Sequence, residues 1–505
     1  MIFKYKDYLM RKRERLPLVI TGFLIIGFVF RLYPLNYKNI INPDGVWYIN
    51  QAKAILDGNF ELALNCGYKF VSIYHILIPV FYTFSENWIT AAKSVSILFG
   101  TLTIIPFYLI ARQFFRDSTV FLATLAFAIN PFLVSHSEDL IKGPIFWFFA
   151  LYGIYFFISV INQKSKDSFL ILSCISFLIA GWARFEIIIF FIGSVLYILF
   201  FGREKLKKLF LFCLPVIVLS LTVLTGILIY NKDTLWTFYL EPRLVTFFRD
   251  LLDSLVNVNF LEKSLLAVSS ILFRLIRVFY APLVFLLLGI AAAKKELQRN
   301  RNFSYFILLA SLSFASVFLF YLKTETMVDR YVAIIMLPAF IFVGTGIEEL
   351  IRHLKAKGFN EKKAIGTIFL FIVLTVVVFP HNLVHKRKDQ LVYEEIGNYI
   401  AQLEKNNLVK IVAPDARVSL FANLYSGGIE CAMNNLKKYN FLVKMNYQNL
   451  VFSLKENKTD YYLWEEGRWS EADYNFLAET KSEHFQRIRS WHTKERTIAL
   501  FRIRQ

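Results

Sequence analysis

Asp44 opens the stretch INPDGVWYINQAKAILDGN, where Val46, Ile49, Ala52 and Leu56 recur at helical spacing as far as Gly58. A carboxylate in the first turn of a helix lying along a membrane surface can take a proton from an attacking hydroxyl. It can equally be an N-cap, which asks only for a side-chain oxygen accepting from a backbone N–H. Both readings stand. Glu138 and Asp139 follow in SHSEDLIKGP with Lys142 close by; such a pair could bind an acceptor, orient a base, hold a cation, or simply be solvated. His136 beside them and His75 upstream are what a metal site would draw on. Two separated histidines do not make a ligand set, so no metal or other cofactor is expected.

The cations follow the same logic. In GWARFEI, Arg184 and Glu186 separate two apolar runs that are each only just long enough to cross a bilayer. Ionisable residues at that depth are usually paired or functional. Arg330 and Tyr331 in KTETMVDRY, and Arg274 with Arg277, could present guanidinium and phenol donors to a phosphate at headgroup level, or act as interfacial anchors.

The elements that carry these residues are apolar. The 505 residues are 56% hydrophobic and 19% charged, with a mean hydropathy of +0.48, which excludes an ordinary water-soluble enzyme. The net charge of +19 fits basic cytoplasmic loops facing anionic lipid; without a basic module, nucleic acid is not an expected partner. About eleven stretches approach the roughly 20 residues needed to span: 17–34, 91–111, 118–135, 144–162, 168–183, 186–202, 209–230, 272–293, 303–322, 331–350 and 364–381. With the N-terminus inside, Lys and Arg concentrate in the short inner loops, and the long loops 35–90 and 231–271 lie outside with the C-terminal residues. Residues 70–84 are apolar but short, and read as an interfacial or re-entrant helix. The expected fold is a mainly α polytopic membrane protein: a transmembrane region over 1–382, then a small extracytoplasmic α/β domain over 383–505. In that domain KIVAPD, DYYLWEE and RTIALFRIR read as strands and EEIGNYIAQLEK as a helix. Of the four cysteines, Cys66 and Cys431 could meet outside the membrane, although their spacing reads as unpaired thiols.

The order of these features resembles the C-type superfamily of glycosyltransferases that use lipid-phosphate sugars, specifically its family 39 protein mannosyltransferase and aminoarabinose transferase-like branch. That order is a span, an outer loop with an early Asp, a span ending ARQFF, an outer acidic pair, Arg-x-Glu between two spans, and Arg-Tyr before a late span. The resemblance covers residues 17–382 and extends more weakly into VAPDARVSLFANLYSGG. It implies that Asp44 is the catalytic base, although many members carry Asp-Glu where this chain has Asp-Gly. It makes Glu138 or Asp139 the second acid, holding the acceptor or fixing the base. It assigns the donor phosphate to Lys69, Arg184, Arg330, Tyr331 and Arg274, with Glu186 a substrate or structural residue, and it keeps Lys69 and Arg184 without the prolines usual beside them. The implied activity is transfer of a sugar, with inversion, from a polyprenyl-phosphate donor to a lipid, glycan or protein acceptor outside the cell membrane. The competing reading is a transporter or flippase for a lipid-linked sugar.

Overall fold

The computed structural model describes residues 2–32, 41–66, 70–230, 260–377, 390–467, 476–493 and 495–504. The chain clusters into two compact units. The first is Met1–Leu32, Ile97–Ser137 and Lys142–Pro380; the second is Tyr33–Ser96, Glu138–Ile141 and His381–Gln505. The C-terminal residues therefore cluster with the first long loop and with the acidic pair.

Along the chain, α1 (Ile2–Leu32), α2 (Pro43–Leu56), α3 (Phe60–Asn65) and α4 (Ile73–Ser85) lead into α5 (Trp88–Leu102) and α6 (Ile104–Phe114). Then come α7 (Asp117–Ala128), α8 (Pro131–Ser137), α9 (Gly143–Ile161), α10 (Phe169–Ala183), α11 (Ile188–Phe201) and α12 (Lys205–Tyr230). After residue 259 follow α13 (Phe260–Phe279), α14 (Pro282–Arg299), α15 (Ser304–Thr324), α16 (Asp329–Ala339), α17 (Ile341–Ala356) and α18 (Glu361–Val377). At 13 residues, α4 is about 20 Å long, too short for a hydrocarbon core of about 30 Å.

Among the described residues, four helices are long and apolar enough to cross a membrane, and seven if each bent pair counts as one span. The expected run of straight spans is interrupted, most sharply at 272–293. There α13 and α14 meet at 117°, because Tyr280 takes a left-handed φ of 56° and Pro282, at the start of α14, has no N–H to continue the ladder. The carbonyls freed at the end of α13 need donors in an apolar setting. Asn130 supplies them: its Nδ2 donates to Val278 O at 3.2 Å and Phe279 O at 3.3 Å. Asn130 itself sits at the 47° break between α7 and α8, where its Oδ1 accepts from Leu133 N and caps α8. One amide thus serves two broken helices. Elsewhere in this unit α14 and α17 pack backbone to backbone. A Cβ on Gly289 would lie 1.8 Å from Phe342 O, and one on Gly346 1.8 Å from Phe285 O.

In the second unit a four-stranded sheet of order β1-β2-β4-β3 is built from β1 (Ile411–Val412), β2 (Tyr461–Glu465), β3 (Phe485–His492) and β4 (Thr497–Ile503). β1 runs parallel to β2, and β4 is antiparallel to both β2 and β3. The three strands read from sequence are present. β3 was not expected, because a bulge between Arg487 and Arg489 breaks its alternation. Central β2 is buried throughout because helices cover both faces. Tyr461 and Leu463 pack with Ile396 and Ile400 of α19 (Leu391–Leu403) and Val418 of α20 (Ala416–Ala422). Tyr462 and Trp464 pack with Tyr439 of α21 (Ala432–Leu442) and Leu450 and Leu454 of α22 (Tyr447–Glu456). The period-2 alternation of side chains divides the strand between these two cores.

Cys66, at the end of α3, forms a disulfide with Cys431, just before α21, across 365 residues of sequence and 4.9 Å between Cα atoms. The unpaired-thiol reading of these two residues is thereby corrected: spacing carries no signal for a pair that only tertiary packing brings together.

Replacing Gly289 with Ala forces α14 and α17 apart at a backbone contact, and is expected to cost about 1–3 kcal/mol or more, read as a lowered Tm in detergent. Removing the cross-link with Cys66→Ser and Cys431→Ser together should destabilise the second unit by about 2–4 kcal/mol. Urea titration followed by Trp fluorescence checks this, and no loss would mean the bond contributes nothing.

Candidate functional site

Asp44 occupies the second position of α2, behind Pro43. The helix is capped not by Asp44 but by Asn42, whose Oδ1 accepts from Asp44 N at 3.0 Å. The N-cap role weighed for Asp44 thus falls to a residue that sequence reasoning missed, and the Asp44 side chain is half-buried in the first turn. Its one sequence signal was an Asn directly before Pro at a helix start.

Asp139 grips the same cap. Its Oδ1 accepts from Asn42 N at 3.2 Å and from Leu140 N at 2.9 Å, while its Oδ2 lies 3.4 Å from Asn42 Nδ2. A chain of contacts therefore runs from Asp139 through Asn42 to the backbone of Asp44. Glu138 is 4% exposed, so the two acids, indistinguishable in sequence, have different surroundings: one is bound to the cap, the other is buried. Gly45 explains the departure from Asp-Glu. A Cβ at this position would stand 2.7 Å from Leu140 Cβ and 3.1 Å from Ile41 Cγ2, leaving no room for a Glu side chain.

Further along α2, Lys53 is 7% exposed and donates to the carbonyls of Asn423 (2.9 Å), Leu424 (3.3 Å) and Gly428 (3.4 Å). Burial pushes its ammonium down to about 8, and Asp57 opposes that shift. Lys53 was also missed, since backbone carbonyl partners leave no trace in sequence. The NLYSGG segment it enters is the part of the C-terminal region that carried the weaker resemblance.

The remaining candidates belong to the first unit, apart from Lys69, which lies outside the described residues. Arg184 caps α10 and its Nε donates to Glu186 Oε1 at 3.1 Å, so the local ion pair is present. The guanidinium also stands 6.0 Å from the Phe146 ring centroid. Arg274 and Arg277 share one carboxylate, Asp329, at 2.7 and 3.1 Å. Arg330 follows Asp329 and lies 5.4 Å from the Tyr331 ring. The trio of Arg274, Arg277 and Asp329 keeps one formal positive charge in excess, as an anion-binding cluster requires.

The histidines are engaged separately. His75 Nδ1 accepts from Ser72 N at 2.7 Å and completes the capping box of α4. His136 Nδ1 bonds Phe132 O at 3.1 Å. Among the described residues no group of three His, Cys, Asp or Glu is placed to hold a metal ion.

Residues 73–230 match the family described as dolichyl-phosphate-mannose-protein mannosyltransferase. ArnT from Cupriavidus metallidurans in the apo state aligns with a TM-score of 0.63 at 12% identity, over 97% of this chain and 98% of that one. The chain shares the fold of this ArnT over nearly its whole length. The same ArnT bound to undecaprenyl phosphate aligns with a TM-score of 0.57 at 11% identity, over 96% and 97%. The Archaeoglobus fulgidus oligosaccharyltransferase, in complex with zinc and sulfate, aligns more partially: TM-score 0.57, 12% identity, 88% of this chain and 67% of that one. No curated protein is similar enough in sequence to count as a relative.

Within this fold Asn42 is the residue on which Asp44 and Asp139 converge. Asn42→Ala is expected to cost about 1 kcal/mol for the lost cap and to leave the Asp139 carboxylate with fewer donors. Asn42→Asp should keep the cap yet set two carboxylates together, and fail to recover the full stability. Thermal unfolding of the two variants checks both effects.

Proposed function

We propose that this protein is an integral-membrane inverting glycosyltransferase that moves a sugar from a polyprenyl-phosphate donor to an acceptor hydroxyl on the non-cytoplasmic face, with Asp44 as the base. The observation that carries the reading is the placement of Asp44 on a capped helix start, tied through Asn42 to Asp139, in a chain that shares the fold of ArnT. That ArnT has been solved with undecaprenyl phosphate bound supports a lipid phosphate as the donor's leaving group.

In the proposed reaction the acceptor oxygen attacks the anomeric carbon in line. Its proton passes to an Asp44 carboxylate oxygen, the new glycosidic C–O bond forms, and the bond to phosphate breaks with its electron pair going to the departing lipid phosphate. A lipid phosphate is a competent leaving group, so no nucleotide is needed. Donors must meet the charge it regains, and Arg184, Arg274, Arg330 and Tyr331 are the candidates by chemistry, together with Lys69. Asp139 fixes the cap beneath Asp44. Glu138 is assigned to the acceptor side, and Glu186 to holding Arg184.

The orientation rests on two independent supports. The inner loops carry the excess of Lys and Arg, and the Cys66–Cys431 disulfide joins the first long loop to the C-terminal region, which suits an oxidising compartment outside the cytoplasm. On this reading the transmembrane region spans residues 1–382 and the C-terminal domain, 383–505, lies outside.

Asp44→Asn keeps the shape of the carboxylate and removes its basicity. Transfer from radiolabelled polyprenyl-phosphate sugars in liposomes should fall about 10²–10⁴-fold while the Tm stays close to wild type. Equal transfer by the variant would remove Asp44 as the base. Lipid binding without any transfer by either protein would favour a transporter instead.

A further inference from the structure

The peptide bond between Ile41 and Asn42 is held from both ends. Its N–H donates to Asp139 Oδ1 at 3.2 Å, and its C=O accepts from Arg417 Nη1 at 3.4 Å. Arg417 is 3% exposed and comes from α20 of the C-terminal region. Its Nε and Nη2 form a two-pronged pair with Asp415 at 2.8 and 2.6 Å, and Nη1 also donates to Gln390 Oε1 at 3.0 Å. The guanidinium lies 5.4 Å from the Tyr393 ring, and Arg496 lies 5.5 Å from the same ring. Tyr393 in turn donates to the fully buried Glu465 at 3.0 Å, which also pairs with Arg496. Arg417 is thus fixed by a buried polar network with its remaining reach directed at one backbone carbonyl, three residues before Asp44.

The rest of α2 is fastened to the same stretch of chain. Asn50 Nδ2 donates to Glu430 O at 3.2 Å, Lys53 Nζ enters the carbonyls of residues 423–428, and Cys66 is bonded to Cys431. A helix needs only its apolar face to dock. One cation and one amide on α2 are directed at carbonyls of residues 423–430, and Arg417 of the same segment reaches back to the carbonyl just before the helix, so its rotation and its position along its axis are specified as well.

We propose that Arg417 is a positioning residue for Asp44. It fixes the Ile41–Asn42 peptide against Asp139, and with Lys53 it makes residues 415–431 a clamp that sets the helix bearing the base. This rests on the glycosyltransferase reading of Asp44. The C-terminal region is then required for the chemical step itself, because a displacement of about 1 Å at a reacting group can cost on the order of 10²-fold in rate.

The test compares wild type, Arg417→Lys, Arg417→Met and Asp44→Asn as full-length protein in nanodiscs. Arg417→Lys keeps a charge for Asp415 and loses the fork that reaches Ile41 O, so it guards against misfolding of the Met variant. Hydrogen exchange is followed across residues 42–50, and kcat and KM for a polyprenyl-phosphate sugar are measured per folded molecule. The expected result for Arg417→Lys is faster exchange at the start of α2 and a kcat lowered about 10- to 100-fold, with KM for the lipid within about twofold. A lowered Tm with unchanged kcat per folded molecule would reduce Arg417 to a structural residue and overturn the proposal. Unchanged exchange at residues 42–50 would overturn the clamp itself. If wild type transfers no sugar, the glycosyltransferase reading falls, and if Asp44→Asn transfers normally, Asp44 is not the base; in either case the positioning role falls with it, whatever the exchange shows.

Discussion

One peptide unit, Ile41–Asn42, governs how the second unit is put together. A carboxylate from residue 139 takes its N–H and a guanidinium from residue 417 takes its C=O. In both the partner of the peptide is an ionised group. Asn42 is also the cap of α2, so whatever orients this peptide orients the first turn of the helix and the Asp44 side chain that leaves it. Behind Arg417 stand Asp415, Tyr393, Glu465 and Arg496, a buried network whose members satisfy one another. Such networks specify a single arrangement when complete and are costly when any member is lost.

The first unit obeys a different constraint, the intolerance of hydrocarbon for an unpaired carbonyl. Its helices break repeatedly, and at two of the breaks a side chain answers. Asn130 serves the end of α13 and the start of α8. Arg31, 1% exposed, donates to Gly27 O on its own helix and to Ala128 O at the last residue of α7, where a cation also complements the helix dipole. Near the ends of α6 and α9 and the start of α15, Gln113, Asn162 and Asn302 bond to one another in sequence. Polar residues that look out of place in apolar runs are thus the price of helices that bend.

The candidate site was legible in part. Asp44, the acidic pair and the arginines stand out because charges are scarce in this composition, and the apolar runs mark where each must lie. Arg184 with Glu186 could be read as a pair because a single residue separates them. Asp329 as the shared partner of Arg274 and Arg277 could not, since Arg274 and its carboxylate are 55 positions apart. Lys53 escaped notice because it bonds backbone carbonyls, which have no letter in the sequence, and Asn42 and Arg417 because Asp139, Gln390 and Ile41 are distant from them in sequence. The Asp-Gly at 44–45 looked like a departure from pattern until Leu140 was found occupying the space a Cβ would take.

By itself the sequence determined the apolar character of the helical region, the helix α19, and strands β1, β2 and β4, because these follow from local composition and from period-2 or period-3.6 repeats. Tertiary structure decided which residue caps α2, which of two adjacent acids holds that cap, that Cys66 and Cys431 are joined, where 272–293 folds back on itself, and that β3 exists despite its bulge. Each of those outcomes depends on a partner distant in sequence, or on a backbone group that every residue carries alike, and a one-dimensional pattern contains neither.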